Sequence, residues 1–313
     1  MASMHPSEAD LADLSGVLTA YQRVLERVKV HLRDLGFAPT GRVKTTTTMI
    51  DKLRRTHGME ISRMQDIAGA RIVVRDLTAQ DEAKGKIGSF YTAQGCAWRE
   101  IDRRKDPRFG YKAVHLVVRI DDMPVEVQIR TELQDTWAQI VERLADRWGR
   151  GIRYGEDPEY PQGTVRSGEL VMSRRQILDL LMSLSDSISA VESLRQRTEE
   201  MNSVLSPLGS MLQDVYASGS PERLSDQIPP TMAHIQVDMA NILRKYSEEL
   251  GAEGQELLEM GAEITGAQLV RITAVAHELV SRDVTSRAVQ LAGLEQQLRD
   301  ILQVVAGATD EGA

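Results

Sequence analysis

A single cysteine, Cys96, stands in the 313 residues. One thiol cannot form an intramolecular disulfide or a cysteine-rich zinc site, and it fits a chain kept in a reducing cytoplasm. His5, His31, His57, His234 and His277 are scattered, with no HExxH or other paired spacing, so no zinc centre is expected. No apolar run approaches the roughly 18 residues that span a bilayer. The opening MASMHPSEADLADLSG is acidic, where a secretory leader is basic and then apolar. GxxxxGK[ST] and GxGxxG are both missing, which excludes a P-loop and a dinucleotide fingerprint. The expectation is a cytoplasmic chain without a membrane partner.

What is present describes a folded protein: 42% apolar and 27% charged residues, over a length that accommodates two ordinary domains. The net charge of −8 is unevenly spread. Residues 1–155 hold 26 Lys+Arg against 21 Asp+Glu, a net of +5, and residues 156–313 hold 12 against 25, a net of −13. A basic half suits a phosphate-bearing ligand; an acidic half argues against a second nucleic-acid surface.

Periodicity separates the same halves. Leu11, Leu14, Leu18, Tyr21, Leu25, Val28 and Leu32 predict a helix over 7–36 that stops at Gly36. Met49–Leu53 opens a short helix, and strands are predicted at 70–74 and 98–101 around a helix at 80–95. Residues 111–120 and 124–130 read as a hairpin turning at Asp121-Asp122. Thr131–Trp148 returns to helical spacing. GRGIRYGEDPEYPQGTVRSGE (149–169) is the linker candidate, and helices are expected throughout the remainder, as in Ile177, Leu181, Leu184, Ile188 and Val191. The expected division is therefore 1–155, a mixed α+β or α/β sheet with flanking helices, and 156–313, an all-α bundle.

Three clusters carry chemistry. Residues 42–55 hold five cations (Arg42, Lys44, Lys52, Arg54, Arg55) and one acid, Asp51. They read either as a solvated basic helix start or as a triphosphate cradle. Asp66-Ile-Ala-Gly-Ala-Arg71 enters a strand; Asp66 is a turn former or a carboxylate that holds Mg2+ against phosphates. In the hairpin, Val125, Val127 and Ile129 share one face, and Glu126, Gln128 and Arg130 share the other. Tyr111 and His115 likewise share a face of the preceding strand. Arg103-Arg104-Lys105-Asp106-Pro107-Arg108 is a basic loop upstream.

The order R-x-K, D-I-A-G-x-R-I, G-Y-x-A-V-H, V-E-V-Q-I-R-T and W-A resembles the synthetase domain of the RelA/SpoT family over about residues 20–155. Those proteins are ATP pyrophosphokinases that make the alarmone (p)ppGpp of the stringent response. The resemblance implies a nucleotidyltransferase-like fold around a mixed five-stranded sheet. No H-D motif of the family's hydrolase domain is present, so the likeness is to a small, synthetase-only member. By resemblance, Arg42 and Arg71 sandwich adenine, Lys44 and Lys52 hold the ATP phosphates, and Asp66 and Glu126 bind Mg2+ as the catalytic carboxylates. Tyr111 stacks the acceptor base beside His115 and Gln128, and Lys105, Arg108 and Lys112 take acceptor phosphates. ATP and GDP or GTP are the implied substrates. After Trp137-Ala138 most synthetases of the family carry Glu-His, where this chain has Gln139-Ile140. The acceptor therefore stays open between GDP or GTP and the 3′-CCA end of tRNA, with a non-catalytic nucleotide-binding regulator as a third reading. The second half is expected to form oligomers or to act as a regulatory cap.

Overall fold

The computed structural model describes residues 8–46, 48–50, 64–167, 170–217, 266–307 and 309–310. Lys52, Arg54 and Arg55 lie outside them, as does the predicted short helix beyond Ile50. The chain begins with α1 (Glu8–Asp34) and β1 (Thr40–Val43). Then follow β2 (Ala68–Val74), α2 (Leu77–Ala93), β3 (Trp98–Asp102), β4 (Val114–Ile120), β5 (Met123–Thr131) and α3 (Glu132–Trp148). The five strands form one sheet in the order β1-β2-β5-β4-β3. β2 and β5 run parallel and every other pair is antiparallel, so the expected mixed five-stranded sheet with flanking helices is the observed one.

Alternation decides which face of this sheet is the core. Ala68, Ala70 and Ile72 of β2, Val114, Leu116 and Val118 of β4, and Val125, Val127 and Ile129 of β5 are all buried. They pack with Val24, Leu25, Val28 and Leu32 of α1 and with Ala83, Ile87 and Tyr91 of α2. The same period of two sends Gly69 and Arg71, His115, and Glu126, Gln128 and Arg130 to the opposite face. α2 starts at Leu77 because the Asp76 side chain accepts from the Ala79 amide. α3 starts at Glu132 through a reciprocal capping box between Thr131 and Gln134.

Asp121 and Asp122 form the hairpin turn, both left-handed at φ +51° and +60°. Two positive φ angles are what a two-residue hairpin loop requires, and an L-residue other than glycine adopts each at a cost of about 1–2 kcal/mol. Arg119 donates to the backbone carbonyl of Asp122, a bond that glycine retains. Asp122→Gly is therefore expected to raise stability in urea denaturation by up to about 1 kcal/mol, net of glycine's entropy in the unfolded chain. A less stable variant would assign a stabilising role to the Asp122 side chain.

The expected helical C-terminal region is observed, but the linker candidate at 149–169 is not plain and short strands accompany the helices. A 3-10 turn at Arg150–Tyr154 buries Ile152. The strands β6 (Thr164–Ser167) and β7 (Leu170–Ser173) then pair antiparallel, and β8 (Thr309–Asp310) adds to β6. Thr164, Val165 and Arg166 alternate exposed, buried, exposed, a strand pattern short enough to pass as loop. The long helices are α4 (Arg174–Ala217) and α5 (Gly266–Ala306). Contacts divide the chain into 1–189 with 298–313, and 190–297. The expected boundary at 155/156 thus lies inside the first unit. Within the second unit, Arg195 bridges Glu199 and Glu295, joining the two helices. Among the described residues no helix is long and apolar enough to cross a membrane.

Candidate active site

The polar face of the sheet is not a solvated one. His115 and Arg130 are 8% and 3% exposed, and Asp135, at the start of α3, is 7% exposed. Polar groups so buried must be hydrogen-bonded, and these bond to one another. Tyr111 Oη lies 2.9 Å from His115 Nε2, and His115 Nδ1 lies 2.8 Å from Glu126 Oε1. Gln128 Nε2 donates to Glu126 Oε2 at 3.0 Å. Arg130 Nη2 donates to Gln128 Oε1 at 2.9 Å, and its Nε donates to Tyr111 Oη at 3.3 Å. The five side chains close a ring. With neutral His115 it has one direction: Arg130 to Tyr111 to His115 to Glu126 on one side, Arg130 to Gln128 to Glu126 on the other. Both chains of donors end on the Glu126 carboxylate.

The register builds this ring. His115 pairs with Gln128, which is level with Arg71 across the parallel β2–β5 seam. One row along, Glu126 is level with Gly69, which is level with Arg42 on β1. Tyr111 precedes β4, which begins at Val114, and an isolated bridge to Arg108 holds its backbone. Its ring nevertheless meets that of His115 edge-on, and the Arg130 guanidinium lies 5.1 Å from its centroid.

Burial acts against ionisation of Glu126, and the Asp66 charge adds to that. The hydrogen bonds from His115 and Gln128 outweigh both, and the carboxyl titrates below its ordinary value. Burial pushes the Tyr111 hydroxyl up to about 12, despite Arg130. Arg130 is desolvated, but Tyr111, Glu142 and Asp135 more than offset this and raise its pKa.

The other expected residues divide into two groups. Lys44 Nζ pairs with Asp66 Oδ2 at 2.6 Å, and Arg71 Nη1 lies 3.1 Å from Asp135 Oδ1. Arg42, exposed on β1, is a diagonal neighbour of Arg71 on the same face. These residues border the ring. Lys105 and Arg108 are exposed on the loop, with Lys105 3.9 Å from Asp102. Lys112 is buried and donates to Ser185 O at 3.1 Å and Asp186 Oδ1 at 2.8 Å, both on α4. Of the basic loop, Arg104 is a structural residue rather than a free cation, bonded to Asp81, Asp102 and Gln80.

Arg130 lies on the face that the alternation in β5 predicts, and Asp135, an acid in the first turn of a helix, carries no sequence signal of a site. Asp135 Oδ1 receives Arg130 Nη1 at 3.0 Å as well as Arg71, and its Oδ2 receives Gln139 Nε2 at 2.6 Å. It thus ties β2, β5 and α3 together. Arg130→Ala would take one donor each from Asp135, Tyr111 and Gln128 while Asp135 keeps Arg71 and Gln139 and Tyr111 keeps His115, so a loss of about 1–3 kcal/mol in chemical denaturation is expected. A loss under about 1 kcal/mol would mean that the ring tolerates a gap.

Among the described residues no group of three or more His, Cys, Asp or Glu is placed to hold a metal. Asp66 and Glu126 are a pair whose charges sense each other. Two carboxylates fit Mg2+, which takes one or two from the protein and completes its shell with phosphates and water. Lys44 against Asp66 marks the same place as one that attracts a cation.

The same stretch of chain has relatives among known proteins. Residues 41–145 match the family described as the region found in RelA / SpoT proteins. Uncharacterized proteins of Mycobacterium tuberculosis and Mycobacterium bovis are 34% identical over 164 residues, 52% of this chain. This chain spans 58% of the length of those relatives. Among solved structures, small alarmone synthetase 1 of Bacillus subtilis bound to its product pppGpp is 23% identical, with a TM-score of 0.44 over 58% of this chain and 94% of its own. A GTP pyrophosphokinase family protein of Streptococcus pneumoniae is 22% identical, with a TM-score of 0.44 over 57% of this chain and 90% of its own. The matched residues, 41–145, take in the sheet and most of α3, and with them the ring around Glu126.

Proposed function

We propose that the sheet region is an ATP-dependent pyrophosphokinase that transfers the β,γ-pyrophosphate of ATP to the 3′-hydroxyl of GDP or GTP. The observation that carries this reading is Glu126. It is a carboxylate kept ionised at the centre of the sheet face, with donors fixed on both oxygens and Asp66 close enough to perturb it. A resting surface carboxylate needs no such arrangement. One that must stay charged and fixed in orientation beside Asp66, to hold a cation against phosphates, does.

The reaction is an in-line displacement. The acceptor 3′ oxygen bonds to the β-phosphorus of ATP. The bond from that phosphorus to the oxygen it shares with the α-phosphorus breaks, and AMP leaves with that oxygen. Glu126 takes the hydroxyl proton. Arg42 and Arg71 lie on the same face as adenine binders, and Lys44 meets phosphate oxygens in exchange for Asp66. Tyr111 offers its ring to the acceptor base. Asp66 and Glu126 would hold Mg2+, which when bound supplies neutralisation of phosphate charge. The rest is alignment, the main resource in phosphoryl transfer.

The test is incubation of the full chain with ATP labelled in the γ-phosphate, Mg2+, and GDP, GTP or deacylated tRNA in separate reactions, with Asp66→Ala as the blank. Label on a guanine nucleotide is the expected result. Label on tRNA alone would replace the acceptor in the proposal, and identical blank and wild-type reactions would overturn it. Salt separates the first two further, since binding of tRNA through several phosphates weakens steeply with ionic strength.

A further inference from the structure

Tyr111 hangs from a loop that the sheet does not hold by itself. β4 begins only at Val114, and Phe109 and Gly110 before Tyr111 are both left-handed, at φ +50° and +76°. What holds them comes from the first turns of α4, beyond the matched region. Ser185 Oγ donates to the Gly110 carbonyl. Lys112 Nζ, on the other side of Tyr111, donates to the Ser185 carbonyl and to Asp186 Oδ1. A Cβ on Gly110 would stand 2.9 Å from both Met182 Sδ and Trp137 Cζ2, so α3 and α4 close on the loop here as nearly as glycine permits. Trp137 is locked in turn, its indole donating to the Leu181 carbonyl at 2.6 Å. The two residues flanking Tyr111 are thus fixed by adjacent residues of one helix. Tyr111 passes that position through His115 to Glu126.

We infer that Ser185 and Asp186 are positioning residues for the acceptor half of the site, acting through Gly110 and Lys112 on Tyr111. The inference rests on the proposed function, in which Tyr111 stacks the acceptor base. It gives Lys112 a task other than phosphate binding. The ammonium is buried, and its bonds to α4 fix the loop in which Tyr111 stands. It also assigns work in the sheet region's chemistry to residues of the acidic half.

The test uses the full chain with Ser185→Ala, Asp186→Ala and Asp186→Glu, and with Asp179→Ala as a control on the same helix, where Asp179 pairs only with exposed Arg175 among the described residues. Hydrogen exchange reads the clamp: residues 106–113 should exchange faster in Asp186→Ala and Ser185→Ala, while β2 and α2 stay as in wild type. Initial rates read the consequence: the KM for the guanine nucleotide should rise about tenfold with the KM for ATP unchanged. Asp186→Glu should restore most of both, and Asp179→Ala should behave as wild type. Unchanged exchange at 106–113, or equal rises in both KM values, would overturn the inference. Faster exchange with an unchanged acceptor KM would overturn the positioning role and leave the proposed function standing. A wild-type chain that transfers to no acceptor would overturn the proposed function. Faster exchange would then identify the clamp as structural only and overturn acceptor positioning with it.

Discussion

Glu126→Gln is expected to leave a folded protein whose transfer from ATP falls by roughly 10²–10⁴-fold, the range in which a positioned general base contributes. The amide keeps the size and one acceptor oxygen, so His115 retains a partner. Gln128 now faces an NH2 or a rotated amide, a mismatch on the half-buried polar face rather than in the apolar core. The change removes the proton acceptor and one of the two carboxylates proposed to hold Mg2+, and the two losses fall on the same step. Circular dichroism and thermal melting beside initial rates separate chemistry from folding. Wild-type rates in the variant would remove Glu126 from the mechanism. The acid limb of stability gives an independent reading. The folded-state pKa of Glu126 is depressed, so its contribution to stability is fully present above the unfolded value of about 4.3 and is lost as pH falls through the folded value. The stability difference between wild type and Glu126→Gln should therefore be constant near neutrality and shrink only in that acid window.

How much of this was legible beforehand depends on the range of each interaction. The period of two in Val125–Arg130 separates core from site face with no knowledge of neighbours, and the Asp121-Asp122 turn fixes the hairpin register that puts His115 level with Gln128. The parallel β2–β5 seam has no local signal. The resemblance carried by the order of motifs implied a mixed five-stranded sheet and paired Asp66 with Glu126, but not which strands lie side by side. Asp135 shows the limit from the other direction. On a helical wheel it is an acid in the first turn of an amphipathic helix, welcome there on electrostatic grounds alone. Only the fold reveals that it receives Arg71 and Arg130 together. β6 and β7 were missed because four-residue strands give too few alternations to outweigh the Gly, Pro and charge around them.

The second large effect concerns where the sheet region ends. From charge alone, an acidic half of −13 beside a basic half of +5 suggests a cap, whose deletion from residue 165 onward should raise activity. The packing leads to the opposite expectation. Ile177, Leu178, Leu181 and Leu184 of α4 are all buried within the first unit, and Leu181 is fully so. At about 1.5–3 kcal/mol for each buried aliphatic side chain, these four contribute roughly 6–12 kcal/mol. That is comparable with the whole stability of an ordinary domain, about 5–15 kcal/mol. The same deletion takes away the carbonyl that accepts from buried Trp137, the Asp186 partner of buried Lys112, and Arg174, whose guanidinium lies 5.5 Å from the Trp148 ring. A chain ending at residue 164 is therefore expected to be insoluble or molten, with no transfer activity. One ending at 189 loses residues 298–313 of the first unit but keeps those four side chains and the clamp on Tyr111, and should recover a cooperative urea transition. Solubility, urea denaturation and transfer assays on the two truncations decide the matter. A soluble, more active chain ending at 164 would restore the cap and show that α4 is dispensable to the sheet. A folded chain only at 189 would place the boundary of the catalytic unit more than forty residues past the end of the matched region, at residue 145.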